Sequence, residues 1–115
     1  MRTALLCLLL TTIFSTGQLG AEVSVLFLGD NGHHRPADRA GQLIPVLATR
    51  GVEITYTDEL GALNPRTLSR YDALLIYANW ERIAPEQEKA LLDYVAGGGG
   101  LAAIHCASYL SLIHI

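Results

Sequence analysis

Apolar and polar residues alternate along this chain in blocks whose periods change from strand-like to helix-like and back. Residues 23–28, V-S-V-L-F-L, form a dense apolar run ended by Gly29. That pattern predicts a strand buried on both faces, as in a parallel sheet. Residues 30–36, D-N-G-H-H-R-P, are a polar loop, and Pro36 suits the first turn of a helix. Leu43, Ile44, Leu47 and Ala48 then share one helical face, which Gly51 closes. Residues 52–57, V-E-I-T-Y-T, alternate and are rich in β-branched side chains, so a second strand is expected, nearer an edge. In the connection from Asp58 to Tyr71, Asn64 and Pro65 read as the cap and first residue of a short helix.

A third strand is expected at residues 73–77, A-L-L-I-Y, followed by a loop from Asn79 to Ile83. Pro85 then opens a helix, with Glu86 and Glu88 at the positive end of its dipole. Gln87, Leu91, Tyr94 and Val95 are expected to share its inner face. Gly97 to Gly100 stop this helix, and Leu101 to Ile104 form a fourth strand. Strands separated by helices imply parallel pairing through right-handed crossovers. The expected fold class is therefore α/β, a flavodoxin-like or Rossmann-like doubly wound parallel sheet, truncated at about four strands.

Both ends of the chain read differently. Arg2, the apolar run from Ala4 to Phe14 and the small, polar stretch from Ser15 to Ala21 have the outline of a secretory signal peptide spanning residues 1–21. The run is shorter than the ~18 apolar residues needed to cross a bilayer. The protein is thus expected to be secreted or periplasmic, with no membrane partner once the signal is cleaved. Residues 110–115, L-S-L-I-H-I, match a translation of the transposon end CTGTCTCTTATACACATC used in sequencing adaptors. They are expected to be an artefact tail, so His114 carries no functional weight.

Composition narrows the partners. Half of the 115 residues are hydrophobic and 17% are charged, which excludes a disordered chain. Without residues 1–21, seven basic and eleven acidic residues remain, a net charge of −4. No basic cluster is present, so no nucleic-acid partner is expected. Cys106 is the one cysteine outside the signal, which rules out a disulfide within the mature chain.

Open α/β sheets build their sites at the carboxyl ends of strands. Three groups of residues fall there. His105 follows the fourth strand and could act as a base, a ligand or a hydrogen-bond donor to a sugar. Cys106 could be a nucleophile if its pKa were lowered, although a free cysteine more often packs as a small hydrophobe. Asp30, Asn31, His33 and His34 follow the first strand, and Asn79 and Trp80 follow the third. An indole offers a sugar an apolar plate with a polar edge, but Trp80 could equally cover the sheet end. Gly29 and Gly32 do not make a dinucleotide fingerprint, and adjacent histidines are not a metal motif. No cofactor and no metal are expected.

These segments together resemble a known family. V-L-F-L-G-D-N-G-H-H-R, Y-D-A-L-L-I-Y-A-N-W and A-P-E-Q-E-K-A-L-L-D-Y-V-A-G-G-G-G-L-A-A-I-H-C-A-S are similar to the trehalose-utilisation (ThuA-like) domain of the class I glutamine-amidotransferase-like superfamily. The resemblance covers residues 22–109 as the N-terminal part of such a domain, and the G-G-G-x-x-x-x-H segment is its most specific element. It implies a flavodoxin-like sheet, a role in the metabolism of trehalose and related disaccharides, and a sugar-like small molecule as partner. It also implies fused domains beyond this segment. Amidotransferases carry cysteine at the elbow after this strand; in the ThuA-like family histidine replaces it, here His105, which argues against glutamine hydrolysis. Two alternatives stay open: a hydrolase with Cys106 as nucleophile, and a noncatalytic interaction module of a larger secreted protein.

Overall fold

The computed structural model describes residues 22–109. The expected signal peptide and the expected artefact tail lie outside the described residues. Four strands and three helices alternate: β1 (Val23–Gly29), α1 (Pro36–Ala48), β2 (Val52–Thr57), α2 (Pro65–Leu68), β3 (Ala73–Tyr77), α3 (Pro85–Ala96) and β4 (Gly100–Ala103). Short 3-10 turns occupy Leu60–Ala62 and His105–Tyr109. All pairings are parallel, and the strand order is β2-β1-β3-β4. The chain moves from β1 outward to β2 on one side, then returns to place β3 on the other. This leaves a topological switch point between the carboxyl ends of β1 and β3.

The alternation of β1 explains why helices cover both faces. Leu26 and Leu28 point to one side, where they pack with Leu74 and Ile76 of β3, Leu68 of α2 and Ala90 and Leu91 of α3. Phe27 points to the other side, where it packs with Ile54 of β2 and Ala40 of α1. Leu43, Ile44 and Leu47 extend that second layer, as the helical spacing predicts. The sheet is therefore doubly wound, with β2 at an edge as its alternating pattern suggested.

Each helix boundary has a local cause. Pro36 and Pro85 open α1 and α3, and the Asn64 side chain caps α2 by accepting from the Thr67 N–H at 2.9 Å. The Oε1 of Gln87 accepts from the Ala84 N–H at 2.9 Å and its Nε2 donates to the Leu60 carbonyl at 3.3 Å, which ties α3 to the preceding 3-10 turn. At the end of α3, Gly98 adopts φ 101°, and the Gly98 and Gly99 N–H groups donate back to Val95 and Tyr94 carbonyls. This is a Schellman motif, so the glycine run is an ordered helix stop. Gly99 has a second reason to lack a side chain: a Cβ there would lie 2.4 Å from the Tyr94 ring.

Two expectations shift. Val95 is exposed; the buried face of α3 runs through Ala90 and Leu91 with Tyr94 partly covered, and Val95 lies about 100° further round. β4 begins and ends one residue earlier than the apolar run suggested, because the Gly100 N–H already pairs with the Asp72 carbonyl at 2.9 Å. Its four residues are exposed, and among the described residues it is the edge strand opposite β2.

The opposite end of the sheet is fastened by a clamp. The Ser24 N–H and hydroxyl both donate to Oδ2 of Asp72 at 2.8 Å, and the Asp72 N–H returns to the Ser24 carbonyl at 2.9 Å. These bonds hold the Asp72 carboxyl below its ordinary pKa, the backbone bond first and the hydroxyl second. A depressed carboxyl contributes stability above its unfolded pKa of about 4 and loses it as pH falls through the lower folded value. In urea melts across that acid range, wild-type stability should therefore fall more steeply than that of Asp72→Asn. Parallel acid limbs would contradict the clamp.

Candidate functional site

Three loops converge at the switch point. The first, after β1, turns back on itself through Asp30, whose Oδ1 accepts the Gly32 N–H at 2.9 Å. The other oxygen, Oδ2, accepts the Asn79 N–H at 2.6 Å, from the loop after β3. One carboxylate thus ties together the two walls of the crevice. Asn31 bonds outward instead, its Nδ2 donating to Oδ2 of Asp58 at 2.9 Å beyond β2. All three loops that follow β1, β2 and β3 are stitched by side chains of residues 30 and 31.

The rise from Asp30 to Pro36 ends with Arg35 in a left-handed conformation, φ 52°, just before α1 begins. This bend sets His34 over the crevice. Its ring lies 4.0 Å from that of His33, 5.6 Å from that of Tyr77 and 4.8 Å from that of His105, centre to centre. His34 is half-buried, whereas His33 is exposed. Desolvation lowers the His34 pKa most, followed by the neighbouring His33 and His105, against an opposing pull from Asp30. His34 therefore favours the neutral imidazole, with a lone pair available on one ring nitrogen.

The third loop supplies His105. Its φ of 53° places a non-glycine residue in the left-handed region, where only a small fraction of such residues are found. In an extended strand, successive side chains point to opposite faces. The left-handed step and the 3-10 turn that follows break that alternation, so His105 and Cys106 both approach His34. Donor atoms of His34, His105 and Cys106 all lie within 4.8 Å of one another. Cys106 is a free thiol and is buried, 5% exposed, whereas His105 is exposed.

The residues singled out from the sequence divide accordingly. Asp30, His34, His105 and the backbone of Asn79 come together at the crevice. His33 lies against His34 with the two rings tilted 39° to each other, and Asn31 is drawn toward Asp58. Trp80 is partly buried and packs with Ile83 against the α2–α3 layer, with part of its ring still accessible.

Tyr56 and Tyr77 were not anticipated. Tyr56 presses its hydroxyl into the space beside Gly29, where an added Cβ would lie 2.6 Å from that oxygen. The hydroxyl is buried without a hydrogen-bond partner among the described residues, and burial, then Asp58 and Asp30, raise its pKa. Period-two alternation in V-E-I-T-Y-T could have flagged Tyr56 as inward-facing, but nothing in the sequence pairs it with Gly29. A groove of about 470 Å³, lined by Tyr71, Asp72, Tyr94 and Gly97 to Gly99, opens at the amino-terminal end of the sheet. It is distant from the histidines, and it lacks the converging imidazole and thiol donors found at the strands' carboxyl ends.

A 2-1-3-4 parallel sheet with side chains gathered at the β1–β3 switch point defines a flavodoxin-like α/β domain. Residues 24–112 match the family model for ThuA, trehalose utilisation. The chain belongs to the ThuA family. A ThuA-like protein from Bacteroides uniformis ATCC 8492, solved by crystallography at 2.30 Å, shares the fold with a TM-score of 0.65 at 14% sequence identity. The likeness covers 78% of this chain and 38% of that one, so the chain spans well under half the length of that relative. No curated protein matches the chain.

Proposed function

We propose that this chain belongs to an exported protein that binds a sugar-like small molecule, of the disaccharide type, at the carboxyl ends of β1, β3 and β4. The observation that carries this reading is the Asp30 bridge between Gly32 and Asn79, which fixes two crevice walls beside His34 and His105. Family membership supports the sugar class, and the outline of residues 1–21 supports export. Neutral imidazole at His34 and the exposed ring of His105 can each exchange hydrogen bonds with hydroxyls, and His105 can serve as an acid or base for a bound sugar. The accessible part of Trp80 offers an apolar plate at the rim.

Calorimetric titration of the full-length protein with trehalose, other disaccharides and their oxidised forms tests the reading. His105→Ala and Trp80→Ala should each weaken binding about tenfold, the loss of roughly 1.4 kcal/mol of contact energy. Unchanged binding in both variants would remove the site assignment. A protein that binds no sugar would favour a noncatalytic interaction module.

A second reading rests on the approach of Cys106 to two imidazoles. A hydrolase with Cys106 as nucleophile needs a thiolate that reaches its substrate. The burial of Cys106 favours the sugar-binding reading instead. Iodoacetamide labelling across pH separates them: fast labelling with a low apparent pKa supports the hydrolase, and slow labelling supports sugar binding.

A further inference from the structure

We infer that His34, His105 and Cys106 form a binding site for a single zinc ion, with two imidazole nitrogens and one thiolate as ligands and a fourth position open to the crevice. The donor set comes from two separate loops, one after β1 and one after β4, so sequence proximity alone does not create it. The donor atoms lie within 4.8 Å of one another. Around a tetrahedral zinc, with bonds of roughly 2.0 Å to nitrogen and 2.3 Å to sulfur, neighbouring donors sit roughly 3.3–3.8 Å apart. Closing the set requires movements of about 1 Å, within reach of small side-chain rotations.

The backbone supplies a second, independent reason. His105 holds a left-handed φ of 53°, a conformation that costs about 1–3 kcal/mol for a residue with a side chain. Its structural effect is to turn two consecutive side chains toward the same histidine, which an extended strand would forbid. Such strain is found where a geometry is put to use. The chemistry of the donors then selects the ion. One thiolate and two imidazoles suit zinc, whereas magnesium and calcium require oxygen ligands. Asp30 lies outside this donor set, and its two oxygens accept the backbone N–H groups of Gly32 and Asn79. Binding converts the Cys106 thiol to a thiolate and releases one proton to solvent. Three protein ligands with an open fourth position is the pattern of reactive zinc sites, which bind water or a substrate oxygen there.

The inference stands apart from the sugar reading, and its test contains no sugar. The chelator-stripped full-length protein is titrated with Co²⁺, whose bond to a thiolate produces a charge-transfer band in the near ultraviolet. One equivalent should saturate the band, and Zn²⁺ should then bleach it. Cys106→Ser should abolish the band. His34→Ala and His105→Ala should each weaken Co²⁺ binding by more than about 100-fold, beyond the effect of losing an outer partner. His33→Ala should retain the band at full strength. Circular dichroism of each variant checks its folding. Where a variant does not fold, X-ray absorption of the zinc-loaded wild type decides, because it must show one sulfur at about 2.3 Å with nitrogen neighbours near 2.0 Å. A folded wild type without the band, a folded His34→Ala variant that binds Co²⁺ as tightly as wild type, or a zinc shell without sulfur would overturn the inference.

Discussion

On the proposed sugar-binding reading, Asp30→Ala is expected to weaken that binding by about 100-fold while lowering stability by only about 1 kcal/mol. The asymmetry follows from what the carboxylate holds. Its two oxygens accept N–H groups from Gly32 in its own loop and from Asn79, 49 residues further along the chain. Both bonds are charge-assisted, and charge-assisted bonds are the stronger class. The site is accessible to solvent, so water replaces the lost acceptors and the fold is damaged little. Water does not restore the distance between the loops. His34 then loses its fixed position relative to Asn79 and His105, and a binding site that is no longer preorganised loses affinity without losing contacts. Asp30→Asn should fall between, since its single carbonyl oxygen can replace only one of the two acceptors. Calorimetry and thermal melts of the three proteins check this. A stability loss without an affinity loss would mean that the loops are positioned by something other than Asp30.

Phe27→Ala is expected to destabilise the full-length chain by about 3–5 kcal/mol, a large share of the 5–15 kcal/mol typical of a domain. Phe27 is fully buried between the sheet and α1, in a layer it shares with Ala40 and Ile54. Its ring meets that of Tyr56 edge-on, with centroids 5.5 Å apart. Alanine would leave a cavity at the centre of the α1 layer and free Tyr56 to leave its place beside Gly29. The measurement is urea denaturation, with Val46→Ala as the companion. Val46 is 53% exposed on the outside of α1, so its truncation should change stability by less than about 0.5 kcal/mol. Similar losses in the two variants would contradict the assigned core.

Much of this architecture is legible in the chain because its signals are local. The dense run at 23–28 and the glycine that ends it define β1, and Pro36, Asn64 with Pro65, and Pro85 mark helix starts that the structure places at the same residues. The segments quoted for the ThuA resemblance also pointed to the family that residues 24–112 match. The site was legible only in part. Strand ends could be read, so Asp30, His34, Asn79 and His105 were candidates before any geometry was known. Their relations could not be read. The reach of Asp30 to Asn79 spans two crossovers, and the approach of Cys106 to His34 depends on one left-handed residue. Alternation along L-A-A-I-H-C would send His105 and Cys106 to opposite faces, and the enrichment of histidine at positive φ is too weak to single out this position. Val95 failed for a simpler reason: apolar spacing cannot tell a helix's buried face from an apolar residue at its margin.

The left-handed backbone at His105 has a consequence for anyone who redesigns this domain. Glycine fits that conformation without penalty, and most other side chains do not. A search for thermostability would therefore favour glycine at position 105 and count the exchange as an improvement. It would remove the ring that faces His34 and leave a sturdier scaffold with an empty crevice. Of the two side-chain-bearing residues held in this conformation among the described residues, Arg35 and His105, it is His105 whose ring meets that of His34, so the exchange a stability screen would favour falls on the proposed site.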